Sequence, residues 1–165
     1  MKKIALASFF GVIIFISKVF PTPIDKMLVI VQALLLSLAS LLLRRMGATY
    51  TAAIGGILTS IWKAGFFPFS LIFAVIYGLM IDGFFYIFKV RTPREEVRTG
   101  RLVASLTLST ALIGLVSFYV TVSLKFMPML PILYIIVLVV GTVSGAVAGY
   151  LTSFIWKRYL FHRLR

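Results

Sequence analysis

Apolar residues fill this chain in six long stretches, broken by short groups of charged residues, prolines and glycines. The stretches cover 4–20, 27–43, 48–62, 68–88, 102–124 and 130–156, most of them near the roughly 20 residues a helix needs to cross a bilayer. No linker, low-complexity tract or internal repeat interrupts them. The pattern predicts an all-α, polytopic membrane protein: one domain over 1–165 with six transmembrane helices.

The connections alternate in basic residues. One side collects Lys2, Lys3, Arg44, Arg45, Lys89, Arg91, Arg94, Arg98, Arg101, Lys157, Arg158, Arg163 and Arg165. The other has Lys18, Lys26, Lys63 and Lys125. Basic residues stay on the cytoplasmic side of membrane helices, so both the N and the C terminus are predicted to be cytoplasmic. Lys2-Lys3 and the apolar run after them also suit a signal peptide. No small-x-small cleavage site follows, and a retained first helix is expected.

Local signals refine the boundaries. Pro21 and Pro23 mark a turn after the first helix. Gly47, just past Arg44-Arg45, suits a C-terminal cap of the second helix. The third stretch is short for a full span, and the sixth is long. Trp156 to Arg165 are therefore expected to project into the cytosol or lie along the interface.

Composition agrees with this picture: 61% of residues are hydrophobic and 13% charged, with a mean hydropathy of +1.10. The net charge of +13 sits at helix ends, where it meets anionic lipid, so no nucleic-acid partner is expected. With no cysteine, disulfides and thiolate chemistry are excluded.

Small residues recur four apart in several stretches: Ala7 and Gly11; Ala48, Ala52, Gly56 and Ser60; Ser70, Ala74 and Gly78; Gly141, Gly145 and Gly149. Such faces let helix backbones approach closely in lipid. They serve packing within the monomer, or, on the first helix, docking of a partner. Asp82 continues the third of these stripes, followed by Tyr86, so the stripe is predicted to point inward. Asp82 is the one acidic residue inside an apolar stretch and must face protein or water. It reads as a structural anchor near Arg44 or Arg45, as a coupling carboxylate, or as a partner contact.

The connection Trp62-Lys63-Ala64-Gly65-Phe66-Phe67-Pro68-Phe69 is aromatic throughout. Aromatic belts are common at membrane interfaces, but four rings in eight residues around a turn also suit a pocket for a flat heteroaromatic ligand. Trp62, Lys63, Phe66, Phe67, Phe69 and Tyr119 are the candidate substrate-binding residues, with Lys18, Asp25 and Lys26 as further polar contacts. No catalytic residue, metal site or cofactor is expected. His162 stands alone in a basic tail, Glu95 and Glu96 lie among arginines as local ion pairs, and no metalloprotease or hydrolase motif occurs.

The layout of the chain, its start Lys2-Lys3-Ile4-Ala5-Leu6-Ala7-Ser8, and the run Gly55-Gly56 … Gly65-Phe66-Phe67-Pro68 … Gly78-Leu79-Met80-Ile81-Asp82-Gly83 resemble the substrate-binding S components of energy-coupling factor (ECF) vitamin transporters. The resemblance implies a plasma-membrane importer subunit that binds a vitamin or precursor near the outer surface, under the loops after helices 1, 3 and 5. It implies a transmembrane coupling subunit docked on a small face of the first helix, here Ala7 and Gly11. It also implies two ATPase subunits, and toppling of the S component as the transport step. The many rings favour an uncharged or weakly charged aromatic ligand such as a pyrimidine, a thiamine-like compound, a flavin or tryptophan. A membrane scaffold like the small rod-shape proteins and an autonomous small transporter are the alternatives; a membrane enzyme ranks below both.

Overall fold

The computed structural model describes residues 2–19, 25–43, 46–62, 68–90, 97–125 and 130–160. They form six α-helices: α1 (Lys2–Val19), α2 (Asp25–Leu43), α3 (Gly47–Trp62), α4 (Phe69–Ile87), α5 (Thr99–Ser123) and α6 (Pro131–Ile155). A short π-helical turn, Trp156–Leu160, continues α6. α2 is the hub, in contact with all five other helices, while α1, α3, α4, α5 and α6 follow one another around it except that α6 does not close on α1 among the principal contacts. Its central position shows in its sequence: Ala33, Leu36, Ser37 and Ala39 are completely buried, and Leu41 nearly so.

The expectation of six transmembrane helices is corrected by helix length. Among the described residues, only α4, α5 and the continuous helix Pro131–Tyr159 are long and apolar enough to cross a membrane. Ile4–Val19 and Leu28–Leu43 are shorter apolar helices. The 16 residues of α3 reach about 24 Å, against a hydrocarbon core of about 30 Å. α3 is also diluted by Gly, Thr and Ser. The chain is a multi-helix membrane protein in which, among the described residues, three helices are long and apolar enough to span and three more pack with them.

Small residues set how these helices meet. Gly141, Gly145 and Gly149 of α6 lie against Ala111, Thr107 and Val103 of α5, so the two helices run antiparallel in a four-residue register. A Cβ on Gly145 would stand 2.7 Å from Thr107 Cα and one on Gly149 2.8 Å from Val103 Cα. Real side chains cannot come that close to backbone. α3 and α4 cross in the same way: a Cβ on Gly78 would be 2.8 Å from both Ala48 O and Thr49 Cα, and one on Gly56 3.0 Å from Ala74 Cβ.

The stripe on the first helix packs inside the monomer. Ala7 is buried beside Ala39 and Leu43 of α2, with Phe10 and Ile54 packed against them. A Cβ on Gly11 would lie 2.9 Å from Ile54 Cγ2 and 3.2 Å from Gly55 N of α3. The Ala7–Gly11 face expected for partner docking is thus covered by α2 and α3.

Three further expectations change. Gly47 is not the C-cap of α2 but the first residue of α3. There its missing side chain makes room for the carbonyl oxygen of Ala39. The left-handed turn falls on Met46, with φ 50°. Trp156 does not project from the fold: it is 2% exposed and belongs to the main core, while Lys157, Arg158 and Tyr159 are exposed. The inward stripe of α4 stops at Asp82, because Tyr86 is 86% exposed.

α4 ends in a Schellman arrangement. Val90 N–H donates to Phe85 O (3.1 Å) and Lys89 N–H to Tyr86 O (3.2 Å), with Lys89 left-handed at φ 46°. Its usual apolar clasp between the flanking residues is present, since Val90 and Phe85 are both buried. Arg98 N–H then donates to Val90 O (3.3 Å), and Val97 joins Val90 in the core. Both ends of the 91–96 connection are thereby tied to the bundle.

Candidate functional site

Two polar constellations stand out among the apolar helices. The first centres on Asp82. Its Oδ1 accepts from Ser40 Oγ of α2 (2.6 Å) and from Ala48 N–H (3.3 Å), and its Oδ2 accepts from Thr49 N–H (2.9 Å) and Thr49 Oγ1 (2.7 Å). The first N–H groups of a helix have no partner inside it and carry partial positive charge. A carboxylate from α4 meets that need at the start of α3, and Ser40 brings α2 into the same knot. Asp82 therefore joins three helices, with its lone pairs occupied by these donors. Arg44 and Arg45, the cations expected near it, lie outside the described residues.

The second constellation is a half-open cavity of about 480 Å³, within the roughly 300–1,000 Å³ range of small-molecule sites. It lies where the end of α1, the start of α2, the first half of α4, the second half of α5 and the first half of α6 converge. Every one of these segments belongs to the same end of the bundle. The opposite end carries Lys89, Arg98, Arg101, Lys157 and Arg158.

Its wall is mainly apolar. Val29 comes from α2, Phe73 and Ala74 from α4, Ile113 and Gly114 from α5, and Ile136, Val137 and Val140 from α6. Gly114 helps to open it, since a Cβ there would approach Val137 Cγ1 at 3.2 Å. Polar groups interrupt the wall at a few points: Lys18, Gln32, Ser70, Tyr77, Thr110 and Ser117. Tyr77 is buried, and its hydroxyl is 3.1 Å from Thr110 Oγ1. Thr110 Oγ1 donates to Leu106 O at 2.7 Å, and Ser117 Oγ donates to Gly114 O at 3.0 Å. An apolar chamber with a few fixed polar groups can hold and orient a ring-bearing molecule.

Of the residues expected from the sequence, Lys18 lies in this wall. Trp62 and Tyr119 do not. Each is 63% exposed, with Trp62 edge-on to Phe15 at 6.5 Å between ring centroids. On α5 it is the neighbour of Tyr119, Phe118, that turns inward and meets Tyr134 of α6 edge-on at 4.6 Å. Phe69 is half-buried at the start of α4 and is not among the cavity residues. Lys63, Phe66, Phe67, Glu95, Glu96 and His162, and the side chains of Asp25 and Lys26, lie outside the described residues.

Gln32, Tyr77, Thr110 and Ser117 escaped the sequence reading. Gln32 carried a usable signal: it is the only side-chain amide of the chain, set inside an apolar run. The hydroxyls did not, because Ser and Thr occur throughout these helices and bond back to the preceding turn whether or not they face a cavity.

Searches against protein families, curated proteins and solved structures return no match for this chain.

Proposed function

We propose that this protein is a substrate-binding membrane subunit that holds a small ring-bearing molecule in the chamber between α2, α4, α5 and α6. The observation that carries this reading is the 480 Å³ chamber itself, apolar with six polar side chains at its wall. Its position supports an uptake role. The basic ends of the spanning helices would face the cytosol of a plasma membrane, which turns the chamber toward the extracellular side. The ligand would be aromatic and vitamin-like, handed on by a coupling subunit and driven by two ATPase subunits on other chains, as in ECF importers. With Ala7 and Gly11 covered, such a coupling subunit would have to meet the exposed edge of α1 at Ile4, Phe9, Val12 and Ile16.

Native mass spectrometry of the gently purified protein tests this reading, with Ser117→Phe as the variant that fills the chamber. The expected result is a stoichiometric small mass on the wild type that is missing from Ser117→Phe at unchanged thermal stability. A wild-type chain that carries no small molecule and runs as a homodimer would replace this reading with a membrane scaffold.

A further inference from the structure

Three of the four hydroxyl protons at the chamber wall, those of Tyr77, Thr110 and Ser117, are already committed, and this determines what that part of the wall can recognise. A hydroxyl has one proton to give and two lone pairs to receive. Thr110 Oγ1 lies 2.7 Å from the carbonyl oxygen of Leu106, which can only accept, so Thr110 spends its proton there. The 3.1 Å bond between Tyr77 and Thr110 must then use the proton of Tyr77. Ser117 spends its own proton on Gly114 O. Tyr77, Thr110 and Ser117 all line the chamber, and all three retain only lone pairs. Gln32 offers an acceptor as well as donors. Lys18 is the one charged side chain among the described lining residues.

Resting on the proposed function, we infer that the chamber selects planar molecules that present N–H or O–H donors to Tyr77, Thr110 and Ser117. Lactam- and imide-type heterocycles and ring N–H groups belong to this class. Tertiary amides and N-alkylated rings of the same shape do not. A site that hydrogen-bonds a donor rejects the analogue lacking it, because the analogue cannot satisfy the acceptors from which it displaces water.

Matched probes test this: uracil against 1,3-dimethyluracil, and indole against 1-methylindole, titrated onto the purified wild type, Tyr77→Phe, Ser117→Ala and Ser117→Phe. The expected result is that the N–H member of at least one pair binds about tenfold or more tighter, equivalent to one hydrogen bond of roughly 1.4 kcal/mol. That ratio should shrink in Tyr77→Phe or Ser117→Ala. The ratio within a pair is the readout, so a general loosening of the fold, which weakens both members alike, does not imitate it. Equal binding of both members, abolished by Ser117→Phe, overturns the donor rule and leaves the binding chamber standing. No binding of any probe, or binding indifferent to Ser117→Phe, removes the chamber and the donor rule together.

Discussion

At the scale of single residues, Asp82 has the most to lose. Its carboxylate holds two backbone N–H groups and two hydroxyls from α2 and α3. Bonds to a charged acceptor contribute more than neutral ones, and removing the acceptor strands its donors away from water. Asp82→Ala is expected to cost about 2–4 kcal/mol, and Asp82→Asn less, because the amide keeps one accepting oxygen. Thermal unfolding in detergent should rank wild type, Asn and Ala in that order. The sequence already required Asp82 to face protein or water, since a lone carboxylate in an apolar stretch is costly against lipid. Its partners were not readable. Nothing local distinguishes Ser40 and Thr49 from the other hydroxyls of α2 and α3, and the sequence points more readily to the nearby arginines.

At the scale of elements, two glycines of similar local surroundings make opposite demands. Gly145 of α6 has no room for a Cβ, with Thr107 Cα at 2.7 Å and Leu106 O at 2.8 Å. Gly83 of α4 has nothing within 4 Å of that position. Gly145→Val should therefore force α5 and α6 apart, at a cost of about 1–3 kcal/mol or more for overpacking. Gly83→Ala should instead stabilise by up to about 1 kcal/mol, the helix-propensity gain alone. Chemical or thermal denaturation of the two variants side by side checks both signs. The four-residue spacing of Gly141, Gly145 and Gly149 was visible in the chain, whereas the partner helix was not. Helices as such were legible in the apolar runs between charges, prolines and glycines. Spanning capacity was less so, since α3 runs for only 16 residues and is diluted by Gly, Thr and Ser. Of the aromatic connection, the described members Trp62 and Phe69 do not line the chamber, and Tyr119 faces away from the core beside the inward Phe118.

At the scale of the whole molecule, most of the described basic groups and the chamber occupy opposite ends, and the Asp82 knot lies toward the basic one. That knot has a consequence for how the protein is made. α4 brings a carboxylate into an apolar environment, where it costs about 2.5–3.5 kcal/mol on insertion scales if unmatched. α3 is too short and too rich in glycine and hydroxyls to partition well alone. Each supplies what the other lacks: the start of α3 neutralises the burden of α4, and α4 gives α3 a surface to lie on. Glycosylation-site mapping of truncated nascent chains should show α4 integrating more efficiently behind α2 and α3 than when fused alone to a reporter. Asp82→Leu should remove that dependence. The order of the helices along the chain then becomes part of the folding mechanism, with a ribosome that must release α2 and α3 before α4 can settle.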